Sequence, residues 1–383
     1  MSISSTEPLI MSTIRDALRR FDGQRRCWTT GLERAALAWL AKRGRLPASS
    51  QPAQRILIIR STNRIGNNLF LLPFLQKVRS THPNADIELV CSGGQLLPFL
   101  ADLKLQQVHQ VRLQGKQLIA ALPVLWRLGR QQYDQVYVPF ASSTDHLIAA
   151  WVRASEKLGF EEARGDVLFD RPIASNDQCH YAHQPLQLLG LHASLADQIE
   201  LGSMLHTACP HLTALIQSHP GRPLIGFFTG ARKGKGLSLP QWQRLLGDLR
   251  RQRPDALLIQ FNDPADPLPL LGDMPVSLRN LSELARFASG LTLFVSCDTG
   301  PLHLAAASGV PCLGLFTQTD PERYGCLGAQ HLNLVVNDRN AIPLDPHWLA
   351  ETLARAQTPR ERQPALSNAQ YQSPSQAPQL VAH

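Results

Sequence analysis

Phe294-Val-Ser-Cys-Asp-Thr-Gly-Pro-Leu-His303, continued by Leu304-Ala-Ala-Ala-Ser-Gly309 and Val310-Pro-Cys-Leu-Gly-Leu-Phe316, reads as strand, tight loop, short helix and strand. The apolar, β-leaning run 291–295 stops at the polar Ser296. Asp298 and Thr299 are helix-capping residue types, and Gly300 lets a backbone pass close to a ligand. Pro301 suits a first helical turn, where its missing N–H costs nothing. Residues 304–307 favour helix, and Gly309 is a C-terminal stop signal. A helix that starts at the carboxyl end of a buried parallel strand directs free N–H groups and a positive dipole into a cleft. That end suits phosphate or sugar hydroxyls.

Working outward, strands alternate with helices on both sides of this stretch. Residues 55–59 (Arg-Ile-Leu-Ile-Ile) form a short buried strand, followed by the loop 60–68 and a helix over 69–80. A strand ends the run 82–90; helices follow over 96–101 and 116–128, a strand over 135–139 and a helix over 144–158. The region 168–215 is less regular, with helices over 181–189 and 212–218 and a short strand near 199–201. A second set begins after His219-Pro-Gly-Arg-Pro223: strand 224–228, helix 239–250, strand 256–260, helix 281–287, then the opening motif. Helix returns over 348–356. Such alternation predicts α/β architecture with parallel sheets covered on both faces. The expected domains are a basic helical extension and linker over 1–54, one Rossmann-like unit over 55–220, a second over 221–356, and a disordered Gln/Pro/Ser-rich tail over 357–383.

At 383 residues, 44% hydrophobic and 18% charged, the chain supports two substantial cores. It has no run of about 18 or more apolar residues, so no spanning helix is expected. The first residues lack an apolar stretch followed by a small-residue cleavage site, so export by a signal peptide is not expected. Cys27, Cys91, Cys179, Cys209, Cys297, Cys312 and Cys326 show neither pairing nor metal-ligand spacing, which points to reduced thiols in a cytoplasmic protein. The formal charge of +8 favours anionic partners, while the lack of interleaved aromatics or a nucleic-acid module argues against nucleic acid. Arginines and lysines crowd residues 12–45 around Ile14, Leu18, Phe21, Leu32, Ala36 and Leu40. Two readings stand: an interfacial anchor on an anionic membrane, or a solvated helical extension packed on the domain.

Asp298-Thr-Gly-Pro-Leu-His303-Leu-Ala-Ala-Ala, the strand ending Leu315-Phe316, and Thr317-Gln-Thr-Asp-Pro-Glu-Arg-Tyr-Gly325 resemble glycosyltransferase family 9, the ADP-heptose:lipopolysaccharide heptosyltransferases. The resemblance implies a GT-B fold over roughly residues 55–345, two Rossmann-like domains with parallel sheets facing an interdomain cleft. It further implies inverting, metal-independent transfer from a nucleotide-sugar such as ADP-heptose to a lipid-linked or oligosaccharide acceptor, with no cofactor. In that family the first strand ends in a Gly-Asp loop whose aspartate is the general base. The aligned pair here is Gly66-Asn67, and an asparagine amide is no base at neutral pH.

Three explanations stay open. Another group, Asp145 after strand 135–139 or less strongly His183, serves as base, although Asp145 is equally a helix cap. Alternatively Asn67 orients a hydroxyl while a substrate phosphate or solvent takes the proton. Or the protein binds a nucleotide-sugar and transfers nothing. Arg60, Asn63 and Arg64 beside Gly66 suit phosphate or carboxylate, or are simply solvated. The resemblance assigns donor phosphate to Thr229 and charge neutralisation of the leaving diphosphate to Lys235 or Lys233. Asp298 is expected to cap its helix and accept from sugar hydroxyls, and Thr299 and Gly300 to hold the diphosphate. His303 reaches phosphate or sugar, or is a packed histidine, and Gln260 or Asn262 lies near the nucleobase. No metal site is apparent, Asp263-Pro-Ala-Asp266 being more simply a turn. A Rossmann dehydrogenase is disfavoured because the Gly66 loop lacks Gly-x-Gly-x-x-Gly spacing.

Overall fold

The computed structural model describes residues 31–355 apart from 32–33, 49–50, 114–116, 163–164, 177, 193, 195–196, 233, 264–267 and 278–279. The expected disorder at both ends, the helical pattern around Ile14, Leu18 and Phe21, and Lys233 lie outside the described residues. Helix α1 covers residues 34–43. The first unit then runs β1 (Arg55–Arg60), α2 (Ile65–Leu69), α3 (Leu72–Thr81), β2 (Asp86–Cys91), β3 (Gln107–Gln110), α4 (Gln117–Arg130), β4 (Gln132–Val138), α5 (Ser143–Trp151), β5 (Arg153–Phe160), α6 (Gly165–Leu168) and β6 (Arg171–Ile173). The second runs α7 (Pro210–Ser218), β7 (Leu224–Phe228), α8 (Leu239–Gln252), β8 (Leu257–Phe261), β9 (Met274–Val276), α9 (Leu281–Ala288), β10 (Leu293–Cys297), α10 (Gly300–Ala307), β11 (Cys312–Phe316), α11 (Pro321–Tyr324), β12 (Leu332–Val335) and α12 (Pro346–Arg355).

Each set forms a six-stranded sheet, ordered β3-β2-β1-β4-β5-β6 and β12-β11-β10-β7-β8-β9, and every pairing is parallel. The two orders are the same doubly wound topology, reversing direction beside the first strand of each sheet. Period-two alternation explains why such strands read as continuous apolar runs. Ile56 and Ile58 enter one core with α3, while Leu57 and Ile59 enter the opposite core with α1, α4 and α5. In the second sheet Leu293, Val295 and Cys297 face a core with α8 and α12, and Phe294 faces the other side.

The first of these cores does not stop at the sheet. It takes in Ala285 of α9 and Leu304 and Ala307 of α10, joining them to Leu69 and Phe70 of the first unit. Close approach is built from glycine. A Cβ at Gly66 would lie 3.1 Å from the His303 ring, and one at Gly300 would lie 3.1 Å from Ile65. His180 ties the units further. Its Nε2 donates to the Gly325 carbonyl at 2.9 Å, while Nδ1 accepts from the Ala182 N–H at 3.2 Å.

Several expectations need correction. The helix expected over 144–158 ends at Trp151, and 153–160 is β5. Its apolar positions are too sparse to show alternation, and its place between β4 and β6 decides the matter. β3, β6, β9 and β12 went unseen because edge strands this short bury little. The strand near 199–201 is irregular, and the helices expected over 96–101 and 181–189 are 3-10 turns, Gly94–Phe99 and Gln184–Leu189.

Two outcomes follow. Trp242 is 1% exposed and packs against Phe227, so Trp242→Ala lowers urea-unfolding stability by about 3–5 kcal/mol. Burial pushes the pKa of both His180 and His331 from 6.5 down to about 4. The unfolded chain therefore binds protons that the folded chain refuses. Stability is full above pH 6.5 and falls as pH drops towards 4. Chemical denaturation across that range shows the decline, and His180→Gln makes it shallower.

Candidate active site

Loops at the carboxyl edges of both sheets enclose a cleft of about 810 Å³. One wall is the loop after β1 with α2, carrying Asn63, Arg64, Ile65, Gly66 and Asn67. The opposite wall is the turn after β7, with Gly230, Ala231, Arg232 and Lys235, together with the head of α10, where Asp298, Thr299, Gly300 and His303 face in. Phe70, Tyr181 and Tyr324 also line the cleft.

Asp298 is the hub. Lys235 Nζ donates to its Oδ2 at 2.6 Å, Thr319 Oγ1 donates to the same oxygen at 2.7 Å, and His303 Nε2 lies 3.1 Å from Oδ1. Burial pushes the carboxyl pKa up, but hydrogen bonds from His303 and Lys235 outweigh it and hold Asp298 well below the usual carboxylate range. Asp298 does not cap α10. Thr299 does: it is the N-cap, its Oγ1 accepts from Leu302 N–H, and it is braced at 2.9 Å by Ser296 Oγ. A carboxylate already holding three donors is free to set the geometry of Lys235 and His303 instead. His303 is buried and meets the Phe70 ring edge-on with centroids 4.8 Å apart.

Other expected residues lie elsewhere. Asp145 is fully buried and does not line the cleft, so it is no base for an acceptor. It accepts from the Ser61 N–H at 2.8 Å and from Ser61 Oγ, which fixes the start of the β1 loop, and burial raises its pKa. Nor is it the cap of α5, which is Ser142. Arg60 is also buried, 4.2 Å over the Phe140 ring and 3.9 Å from Asp145, so it anchors the loop from behind without facing a ligand. His183 donates to the Asp197 carbonyl at 2.6 Å outside the cleft. Gln260 is buried with both ends engaged, by Asn262, Pro269 and Leu271, and neither it nor Asn262 lines the cleft. Thr229 follows β7, but the wall there is made by Phe228 and Gly230.

Sequence reasoning missed Thr319, Arg232 and the aromatic floor. Tyr181 stacks on Phe140 at 4.7 Å and lies 5.4 Å from Tyr324, joining segments more than a hundred residues apart. Thr319 and Tyr324 both lie inside the quoted stretch 317–325, and that stretch is the signal that could have found them. Also unexpected is a group among the described residues that could hold a metal. Ligand atoms of Cys312, Cys326 and His331 lie within 4.8 Å of one another, outside the cleft. His331 Nδ1 already accepts from Cys312 N–H at 3.2 Å, and its Nε2 lies 2.9 Å from Gln330 Nε2. Its ring nitrogens are therefore occupied by the protein.

The family model for glycosyltransferase family 9 (heptosyltransferase) matches residues 270–345, which bears out the resemblance read from 298–325. No curated protein matches the sequence. Among solved structures, the chain is similar to a glycosyl transferase family 9 protein from Veillonella parvula, with 16% identity, TM-score 0.63, and 81% of this chain and 99% of that one covered. It is similar to E. coli heptosyltransferase WaaC with ADP, with 17% identity, TM-score 0.59, and 79% and 99% covered. E. coli ADP-heptose lps heptosyltransferase II shares 15% identity, TM-score 0.60, and 79% and 98% covered. The fold is GT-B, of the heptosyltransferase kind.

Proposed function

We propose that the protein is an inverting glycosyltransferase that moves a sugar, heptose being the family's, from a nucleotide-sugar to a lipopolysaccharide-type or other lipid-linked glycan acceptor. Residues 221–356 would hold the donor and 55–220 the acceptor. A cytoplasmic site at the inner face of the cytoplasmic membrane fits such an acceptor. The observation that carries this reading is the Asp298–Lys235–His303 constellation at the head of α10, facing the Asn67 loop across the cleft.

The acceptor hydroxyl attacks the anomeric carbon opposite the leaving diphosphate. One C–O bond forms as the other breaks, and the nucleoside diphosphate departs with the bonding electrons. Lys235, the backbone N–H groups at the start of α10 and the helix dipole are positioned to stabilise that growing negative charge. They supply electrostatically what a divalent cation supplies in other transferases, so the proposal needs no cofactor. On the resemblance, Asn67 takes the position of the family's base. It orients the hydroxyl, and the proton passes to a substrate phosphate oxygen or to water. Arg64 and Asn63 flank this wall and suit an acidic acceptor.

A second reading, favoured by Asn67 alone, is a nucleotide-sugar-binding protein that performs no transfer. Titration calorimetry and turnover with ADP-heptose separate the two. On the transferase reading Asp298→Ala weakens donor binding at least about ten-fold, by releasing Lys235 and His303 together. Asn67→Asp raises kcat by about a hundred-fold, by restoring a base. Donor binding without transfer by either the native chain or Asn67→Asp establishes the binding protein. No binding of any nucleotide-sugar defeats both.

A further inference from the structure

The face of the first sheet that packs on α9 and α10 is one side of that unit; α1, α4 and α5 cover the other and share a core that contains no residue of the second unit. Helices in this position ordinarily present polar residues outward. These do not. Ile119 is 74% exposed, Trp39 61% and Trp126 58%, with Leu122, Leu147 and Trp151 exposed beside them. On α4 the spacing of Ile119, Leu122 and Trp126 makes one stripe, and on α5 Leu147 and Trp151 stand one turn apart. The stripes adjoin, because Trp151 Nε1 donates to the Leu125 carbonyl at 2.7 Å and its ring lies against Gly129.

Cations accompany the rings at the same level. The Arg130 guanidinium sits 3.9 Å over Trp126, and that of Arg43 lies 5.6 Å from the centre of Trp39. Lys42 and Arg127 are exposed nearby on the same helices. Residues 34–43 and 116–133 contain no acid at all, and the single acid of α5, Asp145, is buried. Asp166, on the neighbouring α6, is paired with Arg34.

We propose that the outer faces of α1, α4 and α5 form a docking surface for an anionic lipid bilayer. Tryptophan and leucine enter the boundary between headgroups and acyl chains, while arginines stacked on the indoles meet lipid phosphates at that depth. The absence of exposed acid from the described residues of α1, α4 and α5 suits a surface of uniformly negative potential. The apolar stripe supplies the contact that salt does not screen.

The test is co-sedimentation of the full-length protein with vesicles of phosphatidylcholine alone and of phosphatidylcholine mixed with phosphatidylglycerol. No donor or acceptor is present, so the outcome is independent of the transferase reading. The native chain binds the anionic vesicles and not the neutral ones. Ile119→Ser with Trp126→Ser weakens that binding at least about ten-fold with unchanged thermal stability, and Arg127→Glu with Arg130→Glu does the same should the first pair fold poorly. Brominated lipid quenches native tryptophan fluorescence, and the quenching diminishes when Trp126 is replaced. Equal binding by the native chain and both double variants, or no binding to anionic vesicles, overturns the proposal. So does a native dimer in solution that the Trp126 variant dissociates, because the stripe would then be covered by a second copy.

Discussion

A half-buried carboxylate is held ionised by the donors around it, and Asp298 has three from three different segments. Lys235 comes from the turn after β7, His303 from the first turn of α10, and Thr319 from the loop after β11. This one negative charge draws a cation, an imidazole and a hydroxyl to the same point at the head of a helix. The arrangement keeps Lys235 beside the positive end of α10 despite their mutual repulsion, because the carboxylate lies between them. That wall of the cleft depends on the neutralisation.

The opposite wall is held from behind. Asp145 and Arg60 are out of the cleft, yet Asp145 grips Ser61 and so fixes where the β1 loop begins. From there α2 runs into contact with α10, with Gly66 against His303 and Gly300 against Ile65. The two walls meet along a packed apolar seam, since Leu69, Phe70, Leu304 and Ala307 belong to one core. The position of Asn67 relative to Lys235 thus follows from side-chain size at a few contacts. It also explains why polar residues that look catalytic on paper are structural in the fold.

What was legible in the chain differs by kind. Central strands such as β1, β7 and β10 were readable because burial on both faces requires unbroken apolar runs. Edge strands and β5 were not, because their pairing is decided by neighbours far away in sequence. Asp298 and His303 stand in the motif itself and Lys235 was one of two lysines the resemblance offered, while Asp145, Arg60 and Gln260, chosen for the same chemical reasons, are internal supports in the fold. A residue type shows what a side chain can do, but burial decides whether it meets a ligand.

By itself, then, the sequence determined the α/β class, the strand–loop–helix at 294–309, the aspartate and histidine it carries, and the presence of an amide, Asn67, in the loop after β1. These are local, resting on periodicity, capping and residue identity within a few turns of chain. The tertiary structure alone decided that Thr299 caps α10 while Asp298 turns to Lys235, His303 and Thr319. It alone gathered Phe70, Tyr181 and Tyr324 into a floor and set Trp39, Trp126 and Trp151 on one outer layer. Those outcomes depend on which surfaces two sheets bury against each other, a choice made among residues distant in sequence and invisible to any local pattern.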